Sequence, residues 1–97
     1  VRMILDRDVD FAVSGPRHAF TGRYAVGFDD DGRILAVDTH LYSNAGDSVD
    51  LSFSVMERAL FHSLNAYRCD NVRFHGDLCK TNTVTATAFR GFGAPQG

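Results

Sequence analysis

Ninety-seven residues allow one small domain, and 44% apolar against 23% charged residues is the balance of a folded chain rather than a disordered one. A formal net charge of −2 leaves no electrostatic footprint for nucleic acid or an anionic membrane. No apolar run approaches the ~20 residues of a membrane span, and Cys69 and Cys79 are too sparse for a disulfide scaffold or a zinc site, so both are expected as reduced thiols of an intracellular protein.

The chain opens in the apolar run Val1-Arg2-Met3-Ile4-Leu5, which predicts a short strand over 1–6, and stops at Gly97 inside a glycine-rich segment. Patterned sequence at both ends leads to the expectation that 1–97 is an internal piece of a larger domain. Ser14-Gly15-Pro16 is a turn cluster that breaks any regular element over 8–18. Phe20, Tyr24, Val26 and Phe28 fall on alternate positions, the period of a half-buried strand over 20–29. Asp30-Asp31-Gly32 then makes a hairpin turn, and alternation resumes over 33–42 with apolar residues on both faces. A sheet apolar on both faces is expected to be covered by other protein.

Asn44 to Ser48 reads as a second polar turn. A helix is predicted over 51–67, where Phe53, Met56, Leu60 and Leu64 step by three and four and Phe61 widens the stripe. Asp50 or Ser54 is expected to cap it, with Ser54 and Glu57 in capping-box spacing. Residues 72–80 read as another strand, and from Thr81 onward small, polar and glycine residues make a loop. Strands, then a helix, then a strand predict the α+β class.

Chemistry has few places to sit. Thr87-Ala88-Phe89-Arg90-Gly91-Phe92-Gly93 holds two aromatics, an arginine and two glycines in seven residues, which suits neither helix nor strand. It is either a plain structural loop or one whose glycines let backbone N–H groups approach a ligand while an aromatic face stacks on a flat ring. Glu57-Arg58 is the second candidate. By periodicity Arg58 is a solvated helix residue, but a guanidinium in an apolar surround stays charged and can stabilise developing negative charge. His18, His40, His62 and His75 share no ligand spacing along the chain and are read as surface or core imidazoles. No nucleophile–base pair stands out.

Thr87-Ala88-Phe89-Arg90-Gly91-Phe92-Gly93-Ala94-Pro95-Gln96 resembles the TAFRGFGGPQ word of the molybdenum hydroxylases, the family of xanthine dehydrogenases and aldehyde oxidases. Cys79-Lys80-Thr81-Asn82 resembles its CKTN, Tyr42-Ser43-Asn44-Ala45-Gly46 its YSNAG, Leu5-Asp6-Arg7-Asp8 its LDRDED-type strand, and Ser54 to Ala59 one of its helices. These words run from end to end of the chain in the family's order. The resemblance implies a partial molybdenum-cofactor-binding domain over 1–97. Thr83-Val84-Thr85-Ala86 and Ala94 depart from the common wording, a divergence that reads as closest to insect members.

What the resemblance implies for the site is specific. Arg58, where the aldehyde oxidase branch usually places an uncharged residue, would contact a purine and stabilise charge on it. Phe92 would stack on the purine ring. Phe89, Arg90 and Gly91 would line the molybdopterin, with the Arg90 backbone N–H nearest the molybdenum, and the general-base Glu would come from a later segment, so that Glu57 is not that residue. The activity implied is hydroxylation of hypoxanthine to xanthine and of xanthine to urate, with electrons passing through two [2Fe–2S] clusters and FAD to NAD in a homodimer of the cytoplasm or peroxisome. An aldehyde oxidase, a self-standing ligand-binding module and an inert structural piece are the competing readings.

Overall fold

Alternation and the Asp-Gly turn produce a hairpin: β1 (Phe20–Phe28) pairs antiparallel with β2 (Ile34–Gly46). These strands belong to a computed structural model that describes Val1–Gly97. The turn is closed by Asp29, whose side chain accepts from the backbone N–H groups of Asp31 and Arg33 (3.1 and 2.8 Å), and Gly32 takes φ +79° there. β3 (Val72–Lys80) adds to the other side of β2 in parallel, giving the order β1-β2-β3. A parallel neighbour requires a crossover, and α2 (Ser52–His62) supplies it.

The helix lies on the sheet over Gly76. A methyl group at that position would run into the Met56 thioether and Leu60, so the glycine is what lets α2 sit close. Leu41, Met56 and Ala59 form the core beneath it, with Phe20, Leu60 and Leu78 packed at the edge. That core is small. Only 11 of 97 residues are buried, and the radius of gyration is 16.8 Å where a compact chain of this length has about 13 Å. β1 is exposed on both faces beyond Phe20.

Several expectations are corrected. Residues 1–6 form no strand, because no partner strand in the chain offers them a ladder. The next segment is a helix rather than a broken turn: α1 (Arg7–Val13) is capped by Asp6, which accepts from the Val9 N–H (2.9 Å), and ends before Gly15-Pro16. β2 runs through the predicted turn at Asn44, Ala45 and Gly46, since β3 and the loop after it supply hydrogen-bond partners there. α2 stops at His62 instead of Tyr67. Ser63 bonds back to the Ala59 carbonyl (2.8 Å) and Asn65 adopts φ +52°, which ends the helical run.

The buried face of α2 is Ser52, Val55, Met56 and Ala59, so Phe53 and Phe61 of the predicted stripe point outward at 65% and 83% exposure. Neither Asp50 nor Ser54 caps the helix. The cap position is Leu51, without a side-chain bond, because the Asp50 carboxylate is engaged by the Thr87 hydroxyl (2.8 Å). Cys69 and Cys79 are both free thiols. No helix is long and apolar enough to cross a membrane.

With so few buried side chains, each one matters. Met56→Ala in the full-length protein that carries this chain is expected to lower unfolding stability by about 2–5 kcal/mol, read from the shift of the urea midpoint. An exposed-face change such as Phe61→Ala is expected to cost far less.

Candidate cofactor-binding site

Parallel strands open a crevice at their carboxyl ends, the usual seat of a ligand in such sheets. Here those ends are Gly46 of β2 and Lys80 of β3, and the residues that follow, 81–97, fold back across them. The Thr81 N–H donates to the Gly46 carbonyl (2.9 Å), the Asp47 N–H to Thr83 (3.1 Å) and the Ala86 N–H to Ala45 (3.0 Å). The Thr81 hydroxyl also donates to the Asn44 side chain (2.7 Å), which in turn accepts from the Gly46 N–H (2.9 Å). The segments Tyr42–Gly46 and Thr81–Ala86, far apart in sequence, thus form one hydrogen-bonded frame.

The frame ends in a tight turn. Gly91, Phe92 and Gly93 take φ values of +92°, +51° and +95°, three successive residues in a region that L side chains rarely occupy. At Phe92 the left-handed backbone is a strain that the surroundings must impose. They do: a Cβ on Gly93 would collide with the Val55 carbonyl, and one on Gly91 with Pro95. The turn is held by the Phe92 N–H to Phe89 (2.8 Å) and the Gly97 N–H to Gly93 (3.0 Å). It therefore rests on α2 at Val55 while the N–H groups of Phe89, Arg90, Gly91 and Gly93 bond to no group of the chain. Phe89, Arg90 and Gly91 are exposed. Gln96 adds a buried side-chain oxygen without a partner.

A second tether comes from the segment before β1. The Thr87 N–H donates to the Pro16 carbonyl (2.9 Å), and Arg17 lies over the Phe89 ring at 4.5 Å. His18, only 4% exposed, shares a 2.7 Å hydrogen bond with the buried Ser52 at the start of α2. Burial pushes the His18 imidazole below its usual pKa, against the opposing pull of the Asp50 carboxylate and the Thr87 backbone. Sequence reasoning gave Ser52 no role, Thr87 only a place at the head of the motif, and His18 only that of a surface or core imidazole. A lone histidine and two hydroxyl residues carry no spacing signal, and only the folded chain brings them together.

The predicted site residues fall around this turn. Phe92 is half-buried at its centre, and Phe89, Arg90 and Gly91 form its exposed rim. Arg58 is exposed on α2, three residues after Val55, and makes no ion pair or side-chain hydrogen bond. Its chain neighbour Ala59 lies beneath Gly97, so Arg58 borders the face that carries the turn. His40 and His75, read from sequence as isolated, are brought together on the opposite face of the sheet.

Free N–H donors gathered in a glycine turn have the chemistry to take an oxygen-rich or anionic group. The chain belongs to the molybdopterin cofactor-binding domain family, whose model matches residues 1–97. It is 57% identical to xanthine dehydrogenase 1 of Arabidopsis thaliana, 57% to xanthine dehydrogenase of Drosophila pseudoobscura pseudoobscura and 56% to xanthine dehydrogenase/oxidase of Felis catus, each over all 97 residues. The likeness is spread over plant, insect and mammal rather than concentrated on insects. The chain spans about 7% of the length of these relatives. The unpartnered donors of 89–93 fit the oxygen-bearing surface of a molybdopterin.

Because His18 has a lowered pKa in the folded chain, the unfolded state takes up its proton first as pH falls. The stability it contributes is present above its unfolded value near 6.5 and is lost as pH drops through that value toward the lowered one. Thermal unfolding of the full-length protein over this range is expected to be less pH-dependent in His18→Gln than in wild type. An unchanged dependence would contradict the assignment.

Proposed function

We propose that this chain serves a xanthine dehydrogenase, forming the wall on which a purine is held against the molybdopterin. The reading rests above all on Arg58, a cation without a partner in the chain, beside a glycine turn whose N–H groups are also without one. The relatives named xanthine dehydrogenase support the substrate class, hypoxanthine and xanthine. The molybdopterin, when bound, supplies the centre at which oxygen is added and electrons are accepted.

The chain's own residues bind and orient. Phe92, fixed in a strained backbone, offers a ring face to the flat heterocycle, and such stacking is worth about 0.5–1.5 kcal/mol. Arg58 stays charged at any working pH and meets the negative charge that builds on the purine as its carbon is attacked. The Arg90 backbone N–H, flanked by those of Phe89 and Gly91, would donate to the cofactor and hold it beside the turn. A general base is no part of this set. Two [2Fe–2S] clusters, FAD and NAD as acceptor, a homodimer, and a cytoplasmic or peroxisomal location belong to the same proposal for the whole protein.

Arg58→Met in the full-length protein is expected to lower kcat on xanthine by about 10²–10³, the scale of losing one donor to a developing negative charge. Turnover of an aromatic aldehyde, which develops no purine charge, is expected to fall much less. Full xanthine turnover in the variant would overturn the role of Arg58, and a wild type that prefers the aldehyde would favour the aldehyde oxidase reading.

A further inference from the structure

The face of the sheet turned away from α2 carries a second cluster. Side chains alternate along a strand, so Leu41 and Ser43 point toward the helix and His40 and Tyr42 point away. On β3, His75 and Asp77 share that outer face, and His40 is the register partner of His75. His40 Nε2 lies 2.6 Å from one oxygen of Asp77, and His75 Nε2 lies 3.4 Å from the other. The two imidazoles meet edge to face with centroids 4.3 Å apart.

We propose that His40, His75 and Asp77 form a binding site for a divalent cation of the zinc class. One potential ligand atom from each of the three lies within 4.8 Å of the others. Zinc binds nitrogen and carboxylate oxygen at about 2.0–2.2 Å, which sets its ligand atoms about 3.3–3.5 Å apart, so His40 and Asp77 must part by somewhat under an ångström and the more widely spaced atoms must close. Their side chains are 34%, 62% and 50% exposed and have room to do so. Two imidazoles and a carboxylate are a donor set that takes zinc and neighbouring first-row cations while leaving positions open to water.

Asp77 is engaged by the two imidazoles alone, and no arginine competes for it. Arg73 is occupied by Asp38 and Arg23 lies over the Tyr42 ring at 5.9 Å, so neither guanidinium pairs with Asp77. Tyr42 stacks on His40 at 4.3 Å, and its hydroxyl lies 3.4 Å from His40 Nδ1. That contact leaves Nε2 as the nitrogen facing Asp77 and orients the ring, as outer partners of metal-bound histidines do.

The test uses the full-length protein and zinc itself. Equilibrium dialysis with metal analysis compares wild type with His75→Asn, Asp77→Asn and the double variant. Wild type is expected to bind one more zinc per chain than the double variant, and each single change to weaken that zinc by about tenfold or more, at least as much as loss of an outer partner. Copper(II) in the same site is expected to show two imidazole nitrogens by electron paramagnetic resonance, and one in His75→Asn. Unfolding temperatures measured alongside separate metal loss from misfolding, and His40→Gln gives an independent check. Equal zinc in wild type and double variant, or copper bound without these nitrogens, overturns the site.

Discussion

The contact of Gly93 with the Val55 carbonyl governs the arrangement of everything chemical in this chain. Hydrogen in place of a side chain lets the 89–97 turn lie directly on α2, and the left-handed run from Gly91 to Gly93 follows from that approach. Without it the turn that carries the free N–H groups of Phe89, Arg90 and Gly91 would lose its seat on the helix. Phe92 would also relax to an ordinary backbone conformation. A position that any side chain would destroy therefore sets both the donor array and the aromatic face.

The remainder of the fold supports that contact from two sides. Gly76 lets α2 settle on the sheet through Met56 and Leu60, fixing the height of Val55. Thr87, bonded to Pro16 and Asp50, and the buried His18–Ser52 pair anchor the entrance of the loop to the start of the same helix. The core that does this is minimal, and β1 and α1 leave large apolar side chains such as Phe11, Tyr24 and Phe28 in solvent. Burial within the chain accounts for the junction between helix, loop and sheet, and for little else.

The hairpin, the helix and the last strand were legible because each writes a local signal: alternation around Asp-Gly, a period of three to four, and a β-rich run at 72–80. The helix face was misread because its buried positions include small residues, Ser52 and Ala59, while Phe53 and Phe61 are large and exposed. Size drew the stripe the wrong way. The segment over 1–6 looked like a strand by composition, but a strand also needs a neighbour, which composition cannot supply. Motif wording singled out Arg58, Phe89, Arg90, Gly91 and Phe92, and the folded chain gathers the last four in one turn. The bonds of His18 and Thr87 and the pairing of His40 with His75 were not legible, since each depends on register or on a loop crossing strands more than thirty positions away in sequence.

The central claim is that the left-handed turn seated on Val55 presents the N–H groups that hold the molybdopterin. Its most direct test is the molybdenum and pterin content of full-length Gly93→Ala, purified as a folded protein by circular dichroism and subunit size. The account predicts a fall of about tenfold or more in both, the scale on which displaced outer partners weaken a metal centre. Full occupancy of the cofactor in a folded Gly93→Ala protein would contradict it.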